Sequence, residues 1–527
     1  MTLQLNPIFS DGAVLQQGKP LAVWGTARPL SVVKASVQGQ DASCTADADG
    51  NWRCAFAPLA ASEAEELTVC CEDERIVVRE LAVGEVFIAG GQSNMEFWMR
   101  YERHLDEVRP NCLNPRIRFF DVPKLSYPGQ LNDFDFSQVQ VWRKATPEDL
   151  ERFSAVGYYF ARELEATLNV PIGIVGCNYG GTRSIAWMSP EHAAHVQPEE
   201  AAAFERELCG LPYEELLAHG SANPKNDKGY ATWPAWEEFF LPGTPSEDEI
   251  RAFMASEEAR EAGAADVGGL DVGDGAPATL DHPGFMASTK HAPGALFTHM
   301  VSRIAGFAAR GVLWYQGESD DELAGAQARY RTALETIIAD WRNAWDDPEL
   351  SFFVVQLPGF GSWLGFGTND WATIRNCQQE VADSDDHVWL CSISDVGDEF
   401  DIHPKDKLPV GHRLALLARR YLYDENILAE APRLECATRE GKLVTLRFAN
   451  AGEGLHVKGD GVSALKVVCG EERIPYTASV SGDELDLRLE ADPSGPLDLH
   501  YAQGGWFRTN LYNSADIPAL PFRVTVG

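Results

Sequence analysis

The chain has 527 residues and a mass of 57.9 kDa, which at roughly 100–200 residues per domain predicts two to four domains. With 45% hydrophobic and 23% charged residues, dispersed Gly and Pro and no sustained heptad, it is neither wholly disordered, collagen-like nor coiled-coil. Its 79 Asp and Glu outweigh 44 Lys and Arg for a formal charge of -35, a field that repels nucleic acid and anionic membranes and excludes both as expected partners.

No run approaches about 18 consecutive apolar residues, so no membrane span is expected. The opening residues lack a basic start followed by an apolar run, which reads as a cytoplasmic chain unless a leader has been removed. The 11 cysteines form no CxxC pair and no zinc-like spacing, and are expected to be mostly reduced and buried.

Residues 1–80 read as a β domain. Residues 21–25, 32–37, 67–70 and 76–78 are β-rich and bounded by Gly and Pro, and 47–52 has the composition of a hairpin turn, so an antiparallel β-sandwich is expected. From residue 81 to about 430 apolar runs alternate with helical stretches, the pattern of βα units on a parallel sheet. The runs are 86–89, 172–175, 311–315, 352–357 and 388–393; helices are predicted around 156–164, 328–345 and 411–423. A departure at about 191–292, including the Gly/Ala/Asp-rich stretch 261–269, reads as a mobile insertion near the site mouth. Short strands return in 431–527, predicting a C-terminal β domain.

Ligands of open α/β sheets bind beyond the carboxyl ends of the strands. After the first run comes Gly90-Gly91-Gln92-Ser93-Asn94-Met95-Glu96. A strand, a glycine turn and a helix would set Ser93 at an exposed corner, as in a nucleophile elbow, although the strict GxSxG pattern is absent; Ser93 as a simple helix cap is the alternative. After the second run, Gly180-Gly181-Thr182-Arg183 offers either close backbone approach to a ligand or an ordinary loop. After the third, Gln316 and Glu318 either face a pocket or hold loops. After the fifth, Asp398, Asp401 and His403 appear together. A serine nucleophile needs a base matched to neutral pH and the base needs an orienting group, for which Asp401, Asp398 and a backbone carbonyl compete.

The blocks GGQSNME, GGTRSIAW, WYQGESD and DIHPKDK resemble those of the SGNH-hydrolase superfamily, and more narrowly the sialate O-acetylesterases and related acetylxylan esterases. The opening NPIFSDGAVLQQGKPLAVWGTA is similar to the N-terminal β domain of the same family. This resemblance implies an SGNH-type three-layer α/β/α parallel sheet flanked by β-sandwich-like domains. It implies a carbohydrate esterase that removes O-acetyl groups, from sialic acids or alternatively from acetylxylan or another glycan, with no metal or organic cofactor. It carries the nucleophile to Ser93 and the base to His403, with an oxyanion hole from Ser93, a glycine at 180 or 181 (Gly181 foremost) and the Gln316 amide; the family's acid position, three residues before the histidine, is Phe400 here, so the orienter is expected to be Asp401 instead, with a Ser-His dyad as the alternative. Arg183 would pair with a substrate carboxylate or, alternatively, with a neighbouring acid, and Glu318 is placed with it at the substrate site, holding the loop after Gln316. The substrate is thus an acetylated sugar or glycan. A carbohydrate-binding protein without turnover is the reading of another class, and a metal hydrolase built on Asp398, Asp401 and His403 is a third.

Overall fold

The computed structural model describes residues 2–128, 140–207, 212, 214–215, 289–323, 325–363 and 366–527. Most of the expected insertion, 216–288, lies outside the described residues. Its beginning forms two helices, Pro190–Val196 and Pro198–Glu207. The protein is a mixed α/β structure with a large mixed sheet and further β-sheets, and it divides into two compact units. Among the described residues the first holds those up to 215 with 289–316 and 332–352, and the second holds 317–331 and 353–527.

In the first unit, Leu21–Thr26 pairs antiparallel with Gln4–Leu5 and Asn51–Phe56. Val32–Val37 lies between Gln40–Thr45 and Ser62–Cys71. Alternation of buried and exposed residues along Val32–Val37 and Asn51–Phe56 gives each strand one face for a core. The turn at 47–52 is not the expected hairpin. Asp47 does organise it, accepting the Asp49 and Asn51 N–H groups at 2.9 and 2.8 Å. The strands on either side, however, pair within different sheets, so the chain crosses from one sheet to the other there.

The strand Glu74–Gly91 joins the β-rich start to the α/β region without a break. Its first half pairs antiparallel with Ser62–Cys71. From Glu85 it pairs parallel with Ile172–Asn178, and from Phe87 with Gly311–Tyr315. Glu80 takes a left-handed backbone (φ 55) where the pairing slips register, the mark of a bulge that bends a strand. The composition change near residue 81 therefore falls on a kink within one strand.

The α/β strands of this unit run in the order Arg143–Ala145, Asn114–Asp121, Ile172–Asn178, Glu74–Gly91, Gly311–Tyr315, all parallel except the first. Ile172–Asn178 and Gly311–Tyr315 are buried throughout, which explains their continuous apolar runs. Asn114–Asp121 was not expected, because Arg116 and Arg118 interrupt its apolar pattern. Arg118 is nonetheless buried and donates to the Gly12 carbonyl at 2.7 Å. The helix Ala155–Leu168 starts at Ser154, whose hydroxyl accepts the Gly157 N–H at 3.1 Å, and ends on left-handed Asn169.

In the second unit, Ser351–Val355, whose C-terminal half belongs here, neighbours Val388–Cys391. The helices Trp371–Ser384 and Leu408–Leu422 follow their strands, and the latter buries Leu414, Leu417 and Ala418 as its spacing predicts. Residues 433–526 form two four-stranded antiparallel sheets and a short pair. Leu446, Leu487, Val467 and Leu499 lie in one buried cluster there. Arg413 forms a two-pronged ion pair with Asp395 at 2.7 and 2.8 Å, so Asp395 serves structure.

The ten described cysteines are free thiols, and six of them are buried. No described helix is long and apolar enough to cross a membrane.

Candidate active site

Parallel register builds the site. Gly91 stands opposite both Asn178 and Tyr315, so three adjacent strands end in one row. The Gln92 N–H extends that row by donating to the Tyr315 carbonyl at 3.0 Å. A side chain at Gly91 (φ 128) would run into the same carbonyl oxygen, and one at Gly90 would press on the Trp314 ring at 3.0 Å. The paired glycines thus let the chain turn directly into the short helix Ser93–Glu96. Its cap position is Gln92, with no side-chain capping bond. Ser93 is the first helical residue, half-buried at the corner, and does not cap the helix.

The loop after Ile172–Asn178 lies against this corner. A Cβ on Gly180 would stand 3.3 Å from the Ser93 Cβ. Almost every backbone group of Tyr179–Thr182 has a partner. The Tyr179 N–H donates to the Gly91 carbonyl at 3.0 Å, and the Tyr179 carbonyl accepts from the Thr182 hydroxyl at 2.6 Å. The Gly180 N–H donates to the Glu96 carboxylate at 2.9 Å, and the Gly180 carbonyl accepts from Lys290 at 3.0 Å. The Gly181 carbonyl accepts from His291 Nε2 at 2.6 Å, and the Thr182 carbonyl accepts from the Gln316 amide at 3.1 Å. Among the described residues the Gly181 and Thr182 N–H groups have no acceptor. Gly181 is left-handed (φ 63), a conformation glycine adopts without strain.

Gln316 is fully buried, and its amide nitrogen also donates to Gln92 Oε1 at 3.3 Å. Arg183 immediately precedes the short turn Ser184–Ala186. Burial first, then the charges of Arg183 and Lys290, hold His291 well below its ordinary pKa, so it is the neutral ring that donates to Gly181. Glu96 is paired with Lys124 at 2.6 Å. Sequence reasoning missed Glu96, Lys124, Lys290 and His291. Glu96 stands in a quoted block, but its contact lies 84 residues away, and those of Lys290 and His291 lie 110 residues away.

The other expected residues lie in the second unit. Glu318 is buried at the start of a turn, Glu318–Asp321, entered through Gly317. Asp398 accepts the Phe400 N–H at 3.0 Å. Asp401 accepts the His403 backbone N–H at 2.8 Å and lies 3.8 Å from His403 Nδ1. That second distance is electrostatic contact rather than a hydrogen bond. The Trp363 ring stands perpendicular to the imidazole at 5.2 Å. Burial, with Lys407 second, pulls His403 down to about 3, and burial pushes Asp401 up to about 6. Both shifts have the same cause, the cost of charge away from water, so at neutral pH the pair is a neutral imidazole beside a carboxylate.

The chain is similar to several known esterases. The sequence profile of the family described as "carbohydrate esterase, sialic acid-specific acetylesterase" matches residues 284–418. The chain is 23% identical to mouse sialate O-acetylesterase, over 98% of this chain and 93% of the relative. It is 22% identical to the human protein of the same name, over 98% and 91%. A solved carbohydrate acetylesterase from Xanthomonas citri is 27% identical with a TM-score of 0.73, over 99% of both chains. The protein is a hydrolase of carboxylic esters, similar to carbohydrate esterases. The resemblance read from its motif blocks is to the sialate O-acetylesterase family, and the comparisons bear it out.

Proposed function

We propose that the enzyme removes O-acetyl groups from sialic acids through an acetyl-enzyme on Ser93, with His403 as the base, Asp401 as its orienting carboxylate, and an SGNH-type three-layer core flanked by β-sandwich-like domains. The observation that carries this reading is the inventory of the loop beside Ser93: its carbonyls are all engaged, while the Gly181 N–H is left as a donor. Such a donor at a serine is what the oxygen of a tetrahedral intermediate requires.

In the first step Ser93 Oγ attacks the acetyl carbonyl while His403 takes its proton. The carbonyl oxygen becomes an oxyanion, met by the N–H groups of Ser93 and Gly181 and by the Gln316 amide, which exchanges its long bond to Gln92 for the new charge. Each such donor contributes about 3–4 kcal/mol. Collapse breaks the bond to the sugar oxygen, which leaves with the proton held by His403. Water then attacks the acetyl-enzyme with His403 again as base, releasing acetate and restoring Ser93. Asp401, 3.8 Å from Nδ1, stabilises the transient imidazolium. Arg183 supplies a cation for the sialate carboxylate in an otherwise acidic protein, and Glu318 supports the loop after Gln316.

The test is acetate release from O-acetylated sialic acid by wild type and Ser93→Ala, with acetylxylan as the competing substrate. The variant is expected to lose at least about a thousandfold in kcat. A variant near full rate rules out the serine route, and faster turnover of acetylxylan assigns the enzyme to the other substrate.

A further inference from the structure

The hydrogen bond from the Gly180 N–H to Glu96 links the two parts of the proposed oxyanion hole. Glu96 closes the same short helix that Ser93 opens. It stands three residues beyond the serine and so on the same side of the turn. Its carboxylate reaches the neighbouring loop and takes the N–H that precedes Gly181, at 2.9 Å. Serine helix and glycine loop are thereby tied by a charge-assisted bond, the stronger class of hydrogen bond.

A carboxylate this close to a developing oxyanion would oppose it. Lys124 offsets that charge: its ammonium lies 2.6 Å from the Glu96 carboxylate and 3.3 Å from Asn178 Oδ1, at the end of the strand that feeds the loop. The Lys124 side chain is 7% exposed, so solvent does little to screen the pair.

We infer that Glu96 is a positioning residue for the oxyanion hole: it holds the Gly180 peptide so that the Gly181 N–H remains the donor beside Ser93, while Lys124 keeps the arrangement neutral. This rests on the serine-esterase reading above. A carboxylate fills the role because it accepts without competing to donate; glutamine keeps the acceptor and loses the charge.

The experiment measures kcat and KM for p-nitrophenyl acetate on the full chain for wild type, Ser93→Ala, Glu96→Ala, Glu96→Gln, Lys124→Met and the Glu96→Gln/Lys124→Met pair. Glu96→Ala is expected to lose about ten- to a hundredfold in kcat with KM within about twofold, since the lost interaction acts on the transition state. Glu96→Gln is expected to keep kcat within about threefold of wild type. Lys124→Met is expected to be slower than the double variant, because it leaves the carboxylate uncompensated beside the oxyanion. Should Glu96→Ala fail to fold, Glu96→Asp, one methylene too short to reach Gly180, replaces it with the same expected loss. Wild-type kcat in Glu96→Ala, equal losses in the alanine and glutamine variants, or a double variant no faster than Lys124→Met overturns the inference. Activity in Ser93→Ala instead overturns the serine reading beneath it.

Discussion

The serine corner and the histidine loop are built by different physics. At Ser93, position comes from backbone: three strand ends in register, a turn with no room for a side chain at Gly91, and a neighbouring loop with its carbonyls engaged. At His403, position comes from burial and local contacts, among them the Asp401 carboxylate on the His403 N–H and the Trp363 ring. The first region fixes geometry, and the second fixes protonation. Changes at the serine corner should therefore appear as lost rate without a new pH dependence, and changes in the histidine loop should move the pH profile.

Replacing the base gives the largest expected effect: His403→Ala should lose about a thousandfold in kcat, with exogenous imidazole restoring part of it. Asp401→Asn comes next, with kcat lower by roughly ten- to a hundredfold. The folded Asp401 carboxyl titrates at about 6 against an ordinary 3.8. Between those values the folded state binds the extra proton, so its stability falls as pH rises, and the full cost is present above about 6. Asp401→Asn should therefore be more stable at neutral pH, by up to about 3 kcal/mol, while being a worse enzyme. Wild-type kcat should fall as pH drops through about 6 and the carboxylate is lost, and the variant should lack that limb. A variant with an unchanged pH profile would remove Asp401 from the orienting role. The smallest rate effect belongs to Gly91→Ala, which should destabilise the protein by at least ~2 kcal/mol and slow its folded fraction about tenfold. Its pH profile should match wild type, and a shifted profile would erase the distinction between the two regions.

The elements legible in the sequence were those whose signal is local. The runs at 172–175 and 311–315 are strands because both their faces are buried. The helix expected around 156–164 extends over Ala155–Leu168, between a serine cap and a left-handed Asn169. Asn114–Asp121 is hidden by its two arginines, whose partners lie far off in the chain: Arg118 donates to the Gly12 carbonyl and Arg116 to the Asn169 side chain. The turn composition at 47–52 does mark a turn, but the sheet each flank joins depends on pairing that no local pattern carries. In the candidate site, Ser93, the glycine loop and Gln316 come together around one row of strand ends, Arg183 follows that loop in the chain, and Asp401 lies beside His403. The residues that restrain the glycine loop were not legible, because Lys290 and His291 act on it from 110 positions along the chain.

The most direct test of the central claim is to quench wild-type enzyme during turnover of p-nitrophenyl acetate and map the acetyl group by peptide mass spectrometry. Acetylation is expected at Ser93, absent in Ser93→Ala and formed more slowly in His403→Ala. Turnover with no acetyl group on Ser93, or with a labile acetyl group on another residue, would contradict it.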